Sequence, residues 1–348
     1  MNVLICTAQV PFTSGGGELH VANLKQAFIE AGHVAEIAAV PFKWYPPREI
    51  MRGALAWRML DLTEANGKPV DMVVGMKFPA YLVDHPCKVV WVMHQFRAAY
   101  DLWGTRFDDL CDHPEGPELR TFIKGADERF LPESRKVFAN SKTVADRLRR
   151  YNNIESEPLY HPPPTVEWLC PGGQHDYVFF PSRLEPIKRQ ELLIEAASLL
   201  KSPMRVILAG DSHDHARYES LIRQFGVKDR VQILRPVARE VLVDLYSNAL
   251  AICYLPFEED YGYVTLEAMH SGKPVVVLTD GGGAREFIDH GSDGLIVEPE
   301  PAAIADAIDE LYADKQRARI MGERGREKIL AMDLSWQTVV ERLVSAAR

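Results

Sequence analysis

At 348 residues the chain is long for a single hydrophobic core, so two domains are expected. An apolar fraction of 47% and a charged fraction of 26% suit an ordinary globular protein. The net charge of −9 argues against nucleic acid as a bulk partner, because phosphate-dominated binding requires surplus positive surface. No apolar run approaches the ~20 residues of a membrane span. Met1-Asn2-Val3-Leu4-Ile5-Cys6 enters a strand pattern without the basic start and small-residue cleavage site of a signal peptide, so a cytoplasmic location is expected. Cys6, Cys87, Cys111, Cys170 and Cys253 are scattered and never form a Cys-x-x-Cys pair, against both a disulfide framework and a zinc site.

Short apolar runs alternate with longer amphipathic ones, the pattern of strands and crossover helices in parallel sheets. In the first half the expected strands are residues 3–8, 34–40, 70–74, 88–93 and 137–139. A second series follows at 177–181, 205–209, 231–234, 251–255, 274–278 and 294–297. Between them lies Tyr160-His161-Pro162-Pro163-Pro164-Thr165, whose consecutive prolines forbid helix and central strand and mark the hinge candidate. The expected architecture is therefore α/β, with two open parallel sheets and a deep cleft. Ligands of such sheets bind outside the carboxyl ends of the strands.

The loops after strands carry the candidate chemistry. Gln9 to Glu18 contains Gly15, Gly16 and Gly17 ahead of an amphipathic helix, where backbone can approach a ligand and helix-start amides attract an anion such as a diphosphate. A nicotinamide-type fingerprint would need glycine at position 20, where this chain has His20. Taken alone, the loop is as well explained by a flexible connection. His94 follows an apolar strand directly and so reaches a carboxyl edge, with His20 the second-ranked histidine. Ser182-Arg183-Leu184-Glu185-Pro186-Ile187-Lys188 places two cations about a proline turn, where both can meet one diphosphate; a solvated pair is the bland alternative. Asp211 and His213 are weaker loop candidates. Pro256 to Met269 holds Glu259 and Glu267 separated by seven residues. Gly262 marks the change from loop to helix, so the second carboxylate lies ~7.5 Å into the helix at 1.5 Å per residue. Such acceptors suit the hydroxyls of a sugar or ribose. Asp280-Gly281-Gly282-Gly283-Ala284-Arg285-Glu286 is a further glycine-rich turn, either a set of ligand-facing amides or a tight connection.

In this order the motifs resemble the retaining glycosyltransferases of the GT-B fold, family 4 (glycosyl transferases group 1). Gly15-Gly16-Gly17-Glu18, Ala139-Asn140-Ser141-Lys142-Thr143, the pair Arg183 and Lys188, Glu259 with Glu267, the 280–286 turn and Asp333-Leu334-Ser335-Trp336 carry the likeness nearly end to end. Tyr261 stands where the family commonly has phenylalanine, and the proline-rich linker replaces its more usual Asn-Gly-Val. The resemblance implies two Rossmann-like domains facing a deep cleft: an acceptor-side domain at 1–163 with a returning helix at about 333–348, and a donor domain at 164–332.

It also implies hexose transfer from a nucleoside diphosphate sugar, UDP- or GDP-linked, to a hydroxyl of a glycan, a lipid-linked acceptor or a small molecule. Glu267 would hold ribose. Arg183, Lys188 and the amides of Gly15, Gly16 and Gly17 would hold diphosphate, and Glu259 with Tyr261, Gly262, Tyr263 and Val264 the sugar. Pro236 and Val237, after Arg235, would meet the base, and His94 the transferring sugar. No cofactor or metal is expected, since cations fixed at the phosphate already stabilise the leaving group and Asp109 and Asp112 lack the Asp-x-Asp spacing. Peripheral contact with the inner face of a membrane fits a lipid-linked acceptor, through aromatic and basic loops such as Trp44-Tyr45-Pro46-Pro47-Arg48. Two other readings stand beside transfer: an epimerase or phosphorylase of the same fold, and a sugar-nucleotide-binding protein without transferase activity.

Overall fold

The computed structural model describes residues 1–12 and 15–348; Thr13 and Ser14 of the predicted glycine-rich loop lie outside the described residues. The chain forms two compact units, Met1–Pro164 with Ser335–Arg348, and Thr165–Leu334.

The first unit runs β1 (Asn2–Gln9), α1 (Gly16–Glu30), β2 (Val34–Pro41), α2 (Arg48–Met59), the hairpin β3 (Glu64–Ala65) and β4 (Lys68–Pro69), β5 (Met72–Gly75), β6 (Lys88–Val92), α3 (Gly116–Phe130), β7 (Lys136–Ala139), α4 (Lys142–Asn152) and β8 (Glu157–Pro158). Its main sheet has the order β2-β1-β5-β6-β7-β8, every pair parallel. β5 and β6 are buried along their whole length, which is why Met72-Val73-Val74 and Val89-Val90-Trp91-Val92 are unbroken apolar runs. Helix α4 starts where the Ser141 hydroxyl accepts the Val144 amide at 3.0 Å, and it ends at Asn153 in the left-handed region.

The second unit runs β9 (Tyr177–Pro181), α5 (Gln190–Leu199), β10 (Arg205–Ala209), α6 (His215–Gln224), β11 (Val231–Leu234), α7 (Arg239–Asn248), β12 (Ala251–Tyr254), α8 (Tyr263–His270), β13 (Val275–Leu278), β14 (Gly294–Val297), α9 (Pro301–Ala313) and α10 (Lys315–Ala331). Its order is β11-β10-β9-β12-β13-β14, again parallel throughout. The last helix, α11 (Trp336–Ala347), belongs to the first unit, where Val339, Val340 and Leu343 pack into one core with Val3, Phe28 and Trp91.

In each sheet the strand order reverses once, between β1 and β5 and between β9 and β12. The loops leaving the strands on either side of that reversal diverge and open a crevice at their carboxyl ends. The strands sit where the apolar runs place them, with small differences at their ends. Pro274 is left out of β13 because it has no N–H for the ladder, although its carbonyl accepts the Ile252 amide. Residues 70–71 belong to the exit of the β3–β4 hairpin and not to β5.

Candidate active site

The second unit's crevice is flanked by the loop from β9 to α5 and the loop from β12 to α8. Lys188 comes from the first, at the end of a single 3-10 turn (Pro186–Lys188), and Glu259 from the second. Their side chains pair directly. Tyr254, the last residue of β12, completes a triangle: its hydroxyl donates to Glu259 Oε2 at 2.6 Å and accepts from Lys188 Nζ at 3.3 Å. Burial first, then the Glu259 carboxylate and its hydrogen bond, with Glu267 also contributing, push the Tyr254 phenol well above its ordinary value, so it stays a proton donor.

Glu267 lies in α8, 9% exposed, accepting from Thr165 Oγ1 at 2.6 Å and from the Tyr246 hydroxyl at 2.5 Å. Burial raises its carboxyl pKa, and the two donated hydrogen bonds oppose that rise. Gly262 caps α8 at φ 73°, a left-handed conformation with no room for a side chain, since a Cβ would stand 2.9 Å from Ala284 Cα. Tyr261 is buried with its ring 5.5 Å from that of Tyr263 and 5.8 Å from Phe287. Tyr263 and Val264 open the helix, half-buried.

Arg183 and Lys188 are placed differently from each other. Arg183 is exposed and pairs with Glu185 at 2.9 Å, whereas Lys188 is drawn onto Glu259 and Tyr254. The buried arginine of this loop is its neighbour Arg189, at φ 55°. Its guanidinium forks onto Asp280 at 2.6 and 2.8 Å and donates to the carbonyls of Leu255 at 2.9 Å and Pro256 at 2.7 Å. Arg189 thereby ties the β9, β12 and β13 loops together.

The 280–286 turn is a support for the Glu259 loop and not a set of open amides. Gly281, Gly283, Ala284 and Arg285 donate to the carbonyls of Leu278, Glu259, Gly281 and Gly282, while the amides of Glu258 and Glu259 donate back to Asp280 and Gly281. A Cβ at Gly282 would lie 2.6 Å from the Glu259 carbonyl oxygen, and one at Gly283 2.5 Å from that of Asp260. Arg235 and Pro236 are exposed and Val237 half-buried in the loop from β11 to α7; Asp211 and His213 are exposed in the loop after β10.

In the first unit, Gly15 caps α1 and Gly16 and Gly17 form its first turn. A Cβ on Gly17 would stand 3.3 Å from Met93 Cε, so the helix start meets the exit of β6. His94 follows, half-buried, with Nδ1 donating to the Gln95 carbonyl at 2.8 Å. His20 does not reach a ligand-facing surface. It is 2% exposed, its ring centre 4.0 Å from the tilted ring of His161 and 4.4 Å from Trp91, which it meets edge to face, and burial takes its pKa down to about 3. Among the described residues no three His, Cys, Asp or Glu side chains are grouped to hold a metal, and no helix is long and apolar enough to cross a membrane.

Tyr254, Tyr246, Thr165 and Arg189 escaped the sequence reading. Tyr254 and Arg189 carried a signal, a polar residue at a strand's carboxyl end and a third cation beside Lys188; Tyr246 and Thr165 carried none.

A model of the glycosyl transferases group 1 family matches residues 172–328. D-inositol 3-phosphate glycosyltransferase of Corynebacterium efficiens is 32% identical over 344 residues, 90% of this chain and 79% of the relative. The Mycolicibacterium smegmatis protein of that name is 27% identical over 277 residues, 74% of this chain, which spans only 62% of that relative's length. Among solved structures, sucrose-phosphate synthase from Thermosynechococcus elongatus superposes with a TM-score of 0.80 at 18% identity, covering all of both chains. Anabaena HepE in complex with UDP-glucose gives 0.72 at 18% identity over 99% of this chain and 98% of its own. The fold these structures share with this chain is GT-B.

Proposed function

The chain belongs to the glycosyl transferases group 1 family, and on that premise we propose that it transfers a hexosyl group from a nucleoside diphosphate sugar, UDP- or GDP-linked, to a hydroxyl of a glycan, glycolipid or small metabolite. The observation that carries the reading is the meeting of Lys188, Tyr254 and Glu259 at the strand-order reversal, with Glu267 close enough to act on the same tyrosine. The names of the relatives and the UDP-glucose bound by HepE support it.

In this reading Glu267, already shaped as a double acceptor, takes the ribose hydroxyls, and Pro236 and Val237 border the base. Lys188 keeps one N–H beyond those given to Glu259 and Tyr254, and turns it to the diphosphate. Arg183 exchanges Glu185 for a phosphate oxygen, and the Gly15, Gly16 and Gly17 amides add to that side. Glu259, with the backbone at Tyr261, Gly262, Tyr263 and Val264, orients the sugar hydroxyls, and His94 binds the transferring sugar.

The bond from the anomeric carbon to the phosphate oxygen breaks as the acceptor oxygen bonds on the same face. The leaving oxygen takes the acceptor's proton, and the configuration is retained. Fixed cations offset the charge growing on phosphate, so no divalent metal is needed. This is the chemistry of family 4, carried out in the cytoplasm with peripheral contact at the inner face of the membrane when the acceptor is lipid-linked.

A thermal-shift panel of UDP, GDP, ADP and their common sugars tests donor binding, because a ligand of the native state raises its apparent stability. Lys188→Ala and Glu267→Ala each abolish most of the transfer while leaving a folded protein. Unchanged turnover in both variants would refute the site assignment, and a nucleotide shift without transfer to any acceptor would favour the binding-only reading.

A further inference from the structure

A second cavity of about 420 Å³ opens in the second unit at the other end of its sheet. It is walled by Pro171, Gly172, Gly173 and Gln174, which precede β9, by Gly272 and Lys273, which precede β13, and by Arg319 and Arg326 of α10. These segments enter the amino ends of parallel strands, whereas Lys188, Glu259 and Asp280 leave the carboxyl ends. The helix comes close because Gly322 lies on the Gly272 carbonyl, 2.0 Å from where a Cβ would stand.

Lys273 is the unusual member of this wall. It is 3% exposed, and among the described residues its ammonium donates only to the Gly173 carbonyl, one acceptor for three N–H groups. Among the described residues no carboxylate pairs with it, neither Glu323 nor Glu327 of the same wall, and burial takes its pKa down to about 8. Arg319 is engaged by Glu323 at 2.9 Å, and Arg326 donates from Nε to the His270 carbonyl at 3.2 Å, which leaves its terminal N–H groups for the cavity. A buried cation without a counter-charge is costly, and one that faces a cavity beside a guanidinium is satisfied by an oxyanion.

We propose that this cavity binds the phosphoryl group of a small phosphate monoester, held between Lys273 and Arg326, at a site distinct from the one that carries Glu259. A fork and a point charge suit two oxygens of one phosphate, and Glu323 and Glu327 at the same wall are acceptors for hydroxyls on the organic part.

Calorimetric titration with inorganic phosphate and with glycerol 1-phosphate, against potassium chloride at matched ionic strength, tests the site. Saturable binding is expected for the native protein and for Lys188→Met. Lys273→Met and Arg326→Gln each weaken it about tenfold or more, the worth of one charge-assisted hydrogen bond. A second measurement does not depend on the variants folding: acetylation of Lys273, followed by mass spectrometry, falls several-fold when phosphate is present. No binding by the native protein, wild-type affinity in Arg326→Gln, loss of binding in Lys188→Met, or acetylation indifferent to phosphate would each overturn the proposal.

Discussion

Replacing Arg189 by glycine separates what this residue costs from what it holds. At φ 55° the arginine backbone occupies a region disfavoured for an L-residue by about 1–2 kcal/mol, and glycine relieves that. Against this stand four hydrogen bonds from a side chain 5% exposed. Breaking a buried ion pair costs about 3–5 kcal/mol, but Asp280 is 31% exposed and rehydrates in part, which lowers the figure to roughly 2 kcal/mol. The carbonyls of Leu255 and Pro256 have no such escape, and losing their donor costs about 1–3 kcal/mol each. The net expectation is a loss of about 3 kcal/mol in urea unfolding, and less in Asp280→Asn, which keeps both carbonyl contacts. Because the released segment leads directly to Glu259, donor affinity falls in parallel. Arg189→Gly within about 0.5 kcal/mol of the native protein would refute the reasoning, since it would mean that the fork and both carbonyl bonds amount to no more than relieved strain.

Gly282→Ala combines φ 56° with a Cβ placed 2.6 Å from the Glu259 carbonyl oxygen, and is expected to cost about 3 kcal/mol in the same unfolding assay while lowering donor affinity. Asp127 is buried beneath Tyr81, Tyr100 and Gln95, and burial raises its pKa from 3.8 to about 7. The fold therefore prefers its protonated form, so stability is fully present below pH 3.8 and declines as pH rises to about 7. The slope is up to about 1.4 kcal/mol per pH unit, and Asp127→Asn should remove it from a pH series of unfolding curves. Glu267, also raised by burial, contributes the same sign as pH rises above 4.5, and Glu267→Gln should flatten that part of the curve.

Strands such as Tyr177–Pro181 and Arg205–Ala209 were legible to the residue because a parallel strand covered on both faces must be an apolar run with polar ends. β8 was not, since Glu157-Pro158 has no run to detect. The β3–β4 hairpin did have a signal, Asn66-Gly67, whose φ values of 52° and 74° are those an Asn-Gly turn adopts. At the site, sequence spacing placed Glu259 on a loop and Glu267 in a helix. It could not show that Lys188 closes on Glu259 across 71 residues, because that contact depends on β9 and β12 being neighbours in the sheet. The glycine-rich turn left two alternatives open for a related reason, and the structure answers with the tight connection. Its glycines answer to the backbone of another loop, and close backbone approach looks the same in sequence whether the visitor is a ligand or the chain itself.

The helix formed by the last residues has a consequence for biogenesis. As the chain emerges from the ribosome, residues 165–334 are complete and able to fold while the first unit still lacks the segment that covers Phe28 and Trp91. The unit begun before the other is thus completed after it, and until Val339 and Leu343 arrive its core around Phe28 and Trp91 lacks that cover.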